Sequence, residues 1–196
     1  MRKMMVAGLA VASLFVAASA MADGDSLGAQ GQIAISSDLQ LSFTSSKDKP
    51  PQGDAGDATT TIVVQPALDY FVMDNLSIGG WVGYASSSQG DAKNSAFGLG
   101  PRVGYSIPIT ETIAFWPKLG VGYYSVSMDS GQPDSSSVSG NKMTLEVFAP
   151  VAISPAPHFF IGIGPAFQTD LSSKVEGNDA NKNTTFGVVT RVGGYF

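Results

Sequence analysis

From Gln32 to Phe196 the chain alternates between apolar and small or polar residues with a period of two, in eight segments. Side chains on a strand point to opposite faces in turn, so each segment is read as a strand with two distinct faces. The first segment shows the pattern best. Ile33, Ile35, Leu39, Leu41 and Phe43 fall on one face, and Gln32, Ala34, Ser36, Asp38 and Gln40 on the other. The same reading places Leu68 and Tyr70, Ile78 and Tyr84, Phe97 and Tyr105, Phe115 and Tyr123, Leu145 and Val147, Phe159 and Phe167, and Phe186 and Phe196 on the apolar face of the later segments. That face carries no charge and tends to begin or end in an aromatic residue. Its marks are Phe43, Tyr70, Tyr84, Phe97, Tyr105, Phe115, Tyr123, Phe159, Phe167, Phe186 and Phe196. An uncharged face bounded by aromatic rings meets lipid, with the rings at the membrane–water interface.

The connections supply a second signal. Ser45 to Ala58, Ala85 to Asn94, Asp129 to Gly140 and Leu171 to Lys182 are read as long polar loops, and Met73 to Asn75, Pro108 to Thr112 and Ser154 to Pro157 as short turns. Short turns at one end and long loops at the other fit a barrel with both termini on the periplasmic side. Phe97 to Tyr105, Phe115 to Tyr123 and Phe159 to Phe167 are eight residues apart. At about 3.3 Å per residue and a tilt near 40°, the rings are separated by roughly 20 Å of height, close to an apolar band of about 25 Å. The expected fold is all-β: an eight-stranded antiparallel up-and-down transmembrane barrel. Pro66, Pro101, Pro117, Pro150 and Pro165 fall inside its strands. Proline donates no ladder hydrogen bond, so bulges are expected at those positions.

The first residues predict a secretory signal peptide over 1–22. Arg2 and Lys3 precede a short apolar run, and Ala20-Met21-Ala22 ends in small residues, with cleavage after Ala20 as the alternative. The barrel domain then covers 23–196. The net charge is −5, and loss of Arg2 and Lys3 makes it more negative, which argues against nucleic acid as a partner. The absence of cysteine excludes disulfides, thiolate metal sites and a Cys nucleophile.

The inward face carries Asp38, Asp69 and Glu146 against Arg102, Lys118 and Arg191. Equal numbers of opposite charge are what a packed interior needs, because a buried charge without a partner is costly. The reading favours a salt-bridge network that plugs the lumen over an ion-lined conduit, since eight strands leave an interior just wide enough for side chains to fill. Many glycines share that face with Trp81, Trp116, Tyr124, Phe148 and Phe160. They let a narrow barrel close, and the alternative is a small pocket.

Other motifs carry little chemistry. The Gly-x-Gly pairs at Gly98/Gly100, Gly120/Gly122 and Gly162/Gly164 lack the strand–turn–helix setting of a nucleotide site. Loop acids such as Asp54, Asp57, Asp91, Asp129 and Asp134 read as solvated charge. His158, the sole histidine, falls beside a short turn and reads as an interfacial residue. No catalytic, cofactor or metal site is expected.

The run Asp69-Tyr70-Phe71-Val72-Met73-Asp74-Asn75-Leu76-Ser77-Ile78-Gly79-Gly80 resembles the strand–turn–strand of small outer-membrane barrels of the OmpA, OmpX and opacity type. Arg191-Val192-Gly193-Gly194-Tyr195-Phe196 resembles their last strand. The resemblance implies that Phe196 is an assembly signal read by the barrel-assembly machinery, and that the chain sits among outer-membrane lipid and lipopolysaccharide, as a monomer. It departs from the pattern at Gly194, where an aromatic is common, and no peptidoglycan-binding domain is expected to follow. Four functions compete. The first is a structural or surface-interaction barrel acting through its long loops, with an unidentified loop ligand. The second is a transporter of small solutes or apolar ligands, the third a lipid-modifying enzyme, and the fourth a soluble lipocalin-like binder.

Overall fold

The computed structural model describes residues 26–38, 44–46, 59–131 and 137–196. The expected signal peptide, Phe43, Asp54, Asp57 and Asp134 lie outside the described residues, and Asp38 is described in its backbone alone. The strands are β1 (Ile33–Asp38), β2 (Thr44–Ser46), β3 (Thr59–Val64), β4 (Pro66–Met73), β5 (Leu76–Gln89), β6 (Ala92–Tyr105), β7 (Ile107–Pro108), β8 (Ile113–Phe115), β9 (Lys118–Asp129), β10 (Val138–Phe148), β11 (Val151–Ala156), β12 (Phe159–Val175), β13 (Asn178–Asp179) and β14 (Thr184–Tyr195). Every pairing is antiparallel. β1 pairs with β14 and β4, β5 with β4 and β6, β9 with β6 and β10, and β12 with β10, β11 and β14. The hydrogen bonds therefore close into an eight-strand ring. Its walls are β1–β2, β3–β4, β5, β6–β7, β8–β9, β10–β11, β12–β13 and β14.

The period-two pattern maps onto this ring. Leu68, Tyr70, Ile78, Val82, Leu99, Val103, Leu119, Ile163 and Val188 point outward and are exposed, whereas Asp69, Phe71, Trp81, Arg102, Trp116, Lys118, Phe148 and Phe160 point inward and are buried. An exposed face of aliphatic side chains is unfavourable in water and suits hydrocarbon.

The prolines do not produce the expected bulges. Val64 pairs with Tyr84 and Ala67 with Trp81, so one register runs through Gln65–Pro66. Phe115 pairs with Val151 and Lys118 with Phe148, so one register runs through Trp116–Pro117 and Ala149–Pro150, which face each other. Pro101 pairs with Gly80, and Pro165 with Val188, inside unshifted ladders. Each proline lacks its N–H, but its carbonyl still accepts. Trp116 donates to Pro150 at 2.9 Å, and Tyr105 to Pro117 and Ala149 to Pro165 at 3.0 Å each. Losing one bond of a pair leaves the other to hold register, and the alternation of faces survives. Register shifts occur elsewhere: at Met143/Thr144, where Leu171 is the extra residue, and beside two of the turns.

Two expected loops are ladder instead. β5 and β6 stay paired up to Gln89 and Ala92, turning at Gly90, whose φ is 57°. β12 runs to Val175 and pairs with β13. Ser, Ala, Asn and Lys satisfy a ladder through their backbone as well as apolar residues do, so polar composition hid the strand. These hairpins stand on the side of the ring away from the short turns.

Phe196 does not project outward as expected. Its ring is 9 % exposed, lies parallel to the His158 ring at 6.1 Å between centroids, and covers Gly194. Its backbone pairs both ways with Ile33. Gly194 leaves an empty place on the outer face, and the last ring folds back to fill it.

Candidate functional site in the lumen

The interior is layered. At the short-turn end, residues 26–32 fold beneath the ring. Gln32 is fully buried and organises them: its Oε1 accepts from the Gly28 N–H at 2.8 Å and the Ala29 N–H at 3.2 Å, and its Nε2 donates to the Ser26 carbonyl at 2.8 Å. Gly28 and Gly31 have φ of 121° and 89°, conformations that suit glycine. The turn is tied to its neighbours, with the Gly31 N–H donating to Phe71 and the Asn75 N–H to Gly28. It delivers Leu27 into a cluster with Ala34, Phe71, Trp116, Ala152, Phe160 and Tyr195. Trp116 stacks on Phe71 at 5.3 Å and meets Phe160 edge-on at 5.8 Å. This apolar layer lies at the short-turn end. The sequence reading missed it, although Gly28 and Gly31 just ahead of the first strand were a signal for a turn.

A charged layer rests on it. Asp69, Gly79, Arg102, Gly120 and Glu146 form one row across five walls. Because Gly79 has no side chain, Asp69 reaches across it; a Cβ there would stand 2.6 Å from Asp69 Oδ1. Arg102 donates through Nε to Asp69 Oδ1 at 2.7 Å and through its terminal nitrogen to Oδ2. Lys118 Nζ donates to the same Oδ2 at 2.7 Å and sits 3.3 Å from the centre of the Trp116 ring. Forked and shared geometry of this kind offsets the cost of burying three charges.

Among the described side chains of the expected lumen charges, the partners differ from residue to residue. Asp69 takes both Arg102 and Lys118, while Glu146 makes no ion pair among the described residues. Glu146 Oε1 instead accepts from Tyr124 Oη at 2.8 Å, and from Thr144 Oγ1 and Gln168 Nε2 at 3.0 Å each. Arg191 stands opposite Asp38 in the β1–β14 ladder, and its guanidinium lies 4.0 Å from the centre of the Phe148 ring. Strand register, which composition does not reveal, decides who meets whom. A further pair that the sequence reading passed over, Lys142 with Asp170 at 3.4 Å, lies nearer the hairpin end.

Above the Asp69 layer the described residues leave a space. A cavity of about 340 Å³ is lined by Trp81, Arg102, Lys118, Tyr124, Glu146, Phe148, Gln168 and Arg191, with Gln65, Thr185 and Gly187 also contributing. Trp81 and Tyr124 pack at 5.1 Å. A Cβ at Gly187 would meet no described atom within 4 Å. Among the described residues no group of His, Asp and Glu is placed to hold a metal ion.

On the outer face, Tyr84 pairs with Phe97 and Phe167 with Phe186 across adjacent strands. Tyr70, Tyr84, Phe97, Tyr105, Tyr123, Phe167 and Phe186 are exposed, and Phe115 and Phe159 are half-buried.

The family described as outer membrane protein beta-barrel domain matches residues 8–191. Among solved structures, the crystal structure of Ail, the attachment invasion locus protein of Yersinia pestis, is similar at 17% identity, covering 85% of this chain and 98% of that one with a TM-score of 0.45. The backbone structure of the Yersinia pestis outer membrane protein Ail in a phospholipid bilayer nanodisc is similar at 19% identity, covering 85% of this chain and 100% of that one with a TM-score of 0.42. No curated protein matches.

Proposed function

The chain belongs to the outer membrane protein β-barrel domain family, and from that premise we propose that this outer-membrane barrel is a structural and surface-interaction protein, not a pore. The observation that carries the reading is the apolar packing at the short-turn end. Leu27, Phe71, Trp116, Phe160 and Tyr195 fill the lumen there, and the Asp69–Arg102–Lys118 layer lies directly above. Ions crossing such a barrel would have to displace an aromatic layer and a shared ion pair together. Interaction with the outside then falls to the hairpins, which carry Ser87, Ser88, Lys93, Asn94, Lys174 and Asn178 beyond the aromatic residues. Loops and hairpin tips on a rigid scaffold are the usual place for recognition.

In this reading residues 1–22 direct export and are removed, the barrel-assembly machinery reads the last strand with Phe196, and the folded barrel sits as a monomer among outer-membrane lipid and lipopolysaccharide. Tyr70, Tyr84, Phe97, Tyr105, Phe115, Tyr123, Phe159, Phe167 and Phe186, together with Phe43, are its interfacial rings. The reading assigns the barrel no catalytic step. Planar-bilayer recording of the purified full chain tests it. The expected result is no steady unitary current, and a reproducible single-channel conductance would overturn the closed-lumen reading.

A further inference from the structure

Glu146 is the odd member of the lumen charges. Three donors converge on its Oε1, whereas among the described residues no donor reaches Oε2 and no Lys or Arg nitrogen comes within ion-pair distance. An ionisable group inside a membrane barrel, with no direct ion pair among the described residues, marks a candidate functional group. Glu146 lines the cavity together with three flat or apolar surfaces, Trp81, Tyr124 and Phe148. The floor of the same cavity is basic, because Arg102 and Lys118 share the single carboxylate of Asp69. Arg191 adds its guanidinium over Phe148. The cavity thus presents a carboxylate on one side and cations on another, about an aromatic middle. Its volume of about 340 Å³ falls within the size range of small-molecule sites. The apolar layer lies beneath it, and Gly187 lines its hairpin side, where a Cβ would meet no described atom within 4 Å.

We propose that the upper lumen is a binding site for a compact zwitterion with an apolar or aromatic body. The ammonium of the ligand donates to Glu146 Oε2. Its carboxylate faces Arg102, Lys118 and Arg191, and its body lies against Trp81, Tyr124 and Phe148. A purely cationic ligand would satisfy Glu146 but would face the basic floor, and a purely anionic one would leave Glu146 without a donor. The site adds a ligand to a closed barrel and does not depend on what the hairpins touch.

Calorimetric titration of the full chain in detergent micelles tests this with three probes of one shape: L-phenylalanine, hydrocinnamate, which lacks the ammonium, and phenethylamine, which lacks the carboxylate. L-Phenylalanine is expected to bind at least tenfold more tightly than either. Glu146→Gln should bring it down to the level of hydrocinnamate, whose own affinity should not fall. Gly187→Leu, which adds bulk to the cavity wall and removes no charge, should abolish binding of all three while the barrel still migrates as a folded species on an unboiled gel. Hydrocinnamate binding as tightly as L-phenylalanine, binding unaffected by Glu146→Gln, or no binding of any probe would each overturn the proposal. Should Glu146→Gln fail to fold, the ranking of the three probes on the unsubstituted chain and the Gly187→Leu variant still decide it.

Discussion

The carbonyl of Ala149 occupies the place where a side chain on Gly164 would stand: a Cβ there would lie 2.2 Å from the oxygen. Ala149 faces Pro165, which accepts from the Ala149 N–H and has no N–H to return. The carbonyl deprived of that donor turns inward, over the glycine that precedes the proline. Gly100 and Pro101 repeat the arrangement, with a Cβ at Gly100 standing 2.4 Å from the Val121 carbonyl. At these two positions the glycine before the proline leaves room for the facing carbonyl.

Gly164→Ala should therefore overpack a backbone carbonyl and lower stability by about 1–3 kcal/mol. Gly187→Ala, in a strand interior where a Cβ would meet no described atom within 4 Å, should stay within about 0.5 kcal/mol of the parent. Urea midpoints of the two variants in the same detergent check the contrast.

Asp69 is the common partner of Arg102 and Lys118. Asp69→Asn leaves two buried cations facing each other and should cost about 3–5 kcal/mol. Adding Lys118→Met to that variant should recover part of the loss, because one of the two unpaired charges goes with it. A double-mutant cycle on unfolding free energies measures the recovery, and strict additivity would contradict the shared-partner geometry.

Gln32 holds the turn that closes the short-turn end through three bonds to backbone. Gln32→Ala leaves those backbone groups without their partner, a loss of about 1–3 kcal/mol. The local consequence is more telling than the global one. Limited proteolysis of reconstituted barrels should cut near residues 26–31 in the variant and spare the parent, with the rest of the barrel intact in both.

The β5–β6 hairpin turns at Gly90–Asp91 on one side of the ring, and the β7–β8 turn holds Thr110 and Glu111 on the other. An epitope inserted between Gly90 and Asp91 should be stained on intact cells. The same epitope beside Glu111 should be stained only after the outer membrane is permeabilised. Staining of the Glu111 insertion on intact cells would invert the topology.

The barrel was legible because its cause is local. Alternation places Leu68, Tyr70, Ile78 and Val82 on one face whatever their neighbours are, and the solvent that face must meet follows from its lack of charge. Composition was a poor guide to where strands stop. Ser86, Ser87 and Ser88 read as loop, yet they continue the β5 ladder, since backbone hydrogen bonds are indifferent to a small polar side chain.

The lumen is the part that residue types left undecided. They placed Asp69, Arg102, Lys118, Glu146 and Arg191 on one face, and charge balance suggested a single network. Register across five walls gave Asp69 two cations and Glu146 none. Phe196 folding over Gly194, the turn organised by Gln32, and the space above Lys118 likewise depend on residues far apart in the chain. The sequence by itself determined an alternating, lipid-facing eight-stranded wall, because period-two patterning acts within each strand. Only the tertiary structure decided which interior charges pair, which end closes and where a cavity remains, because those outcomes depend on how the strands are offset when the ring closes.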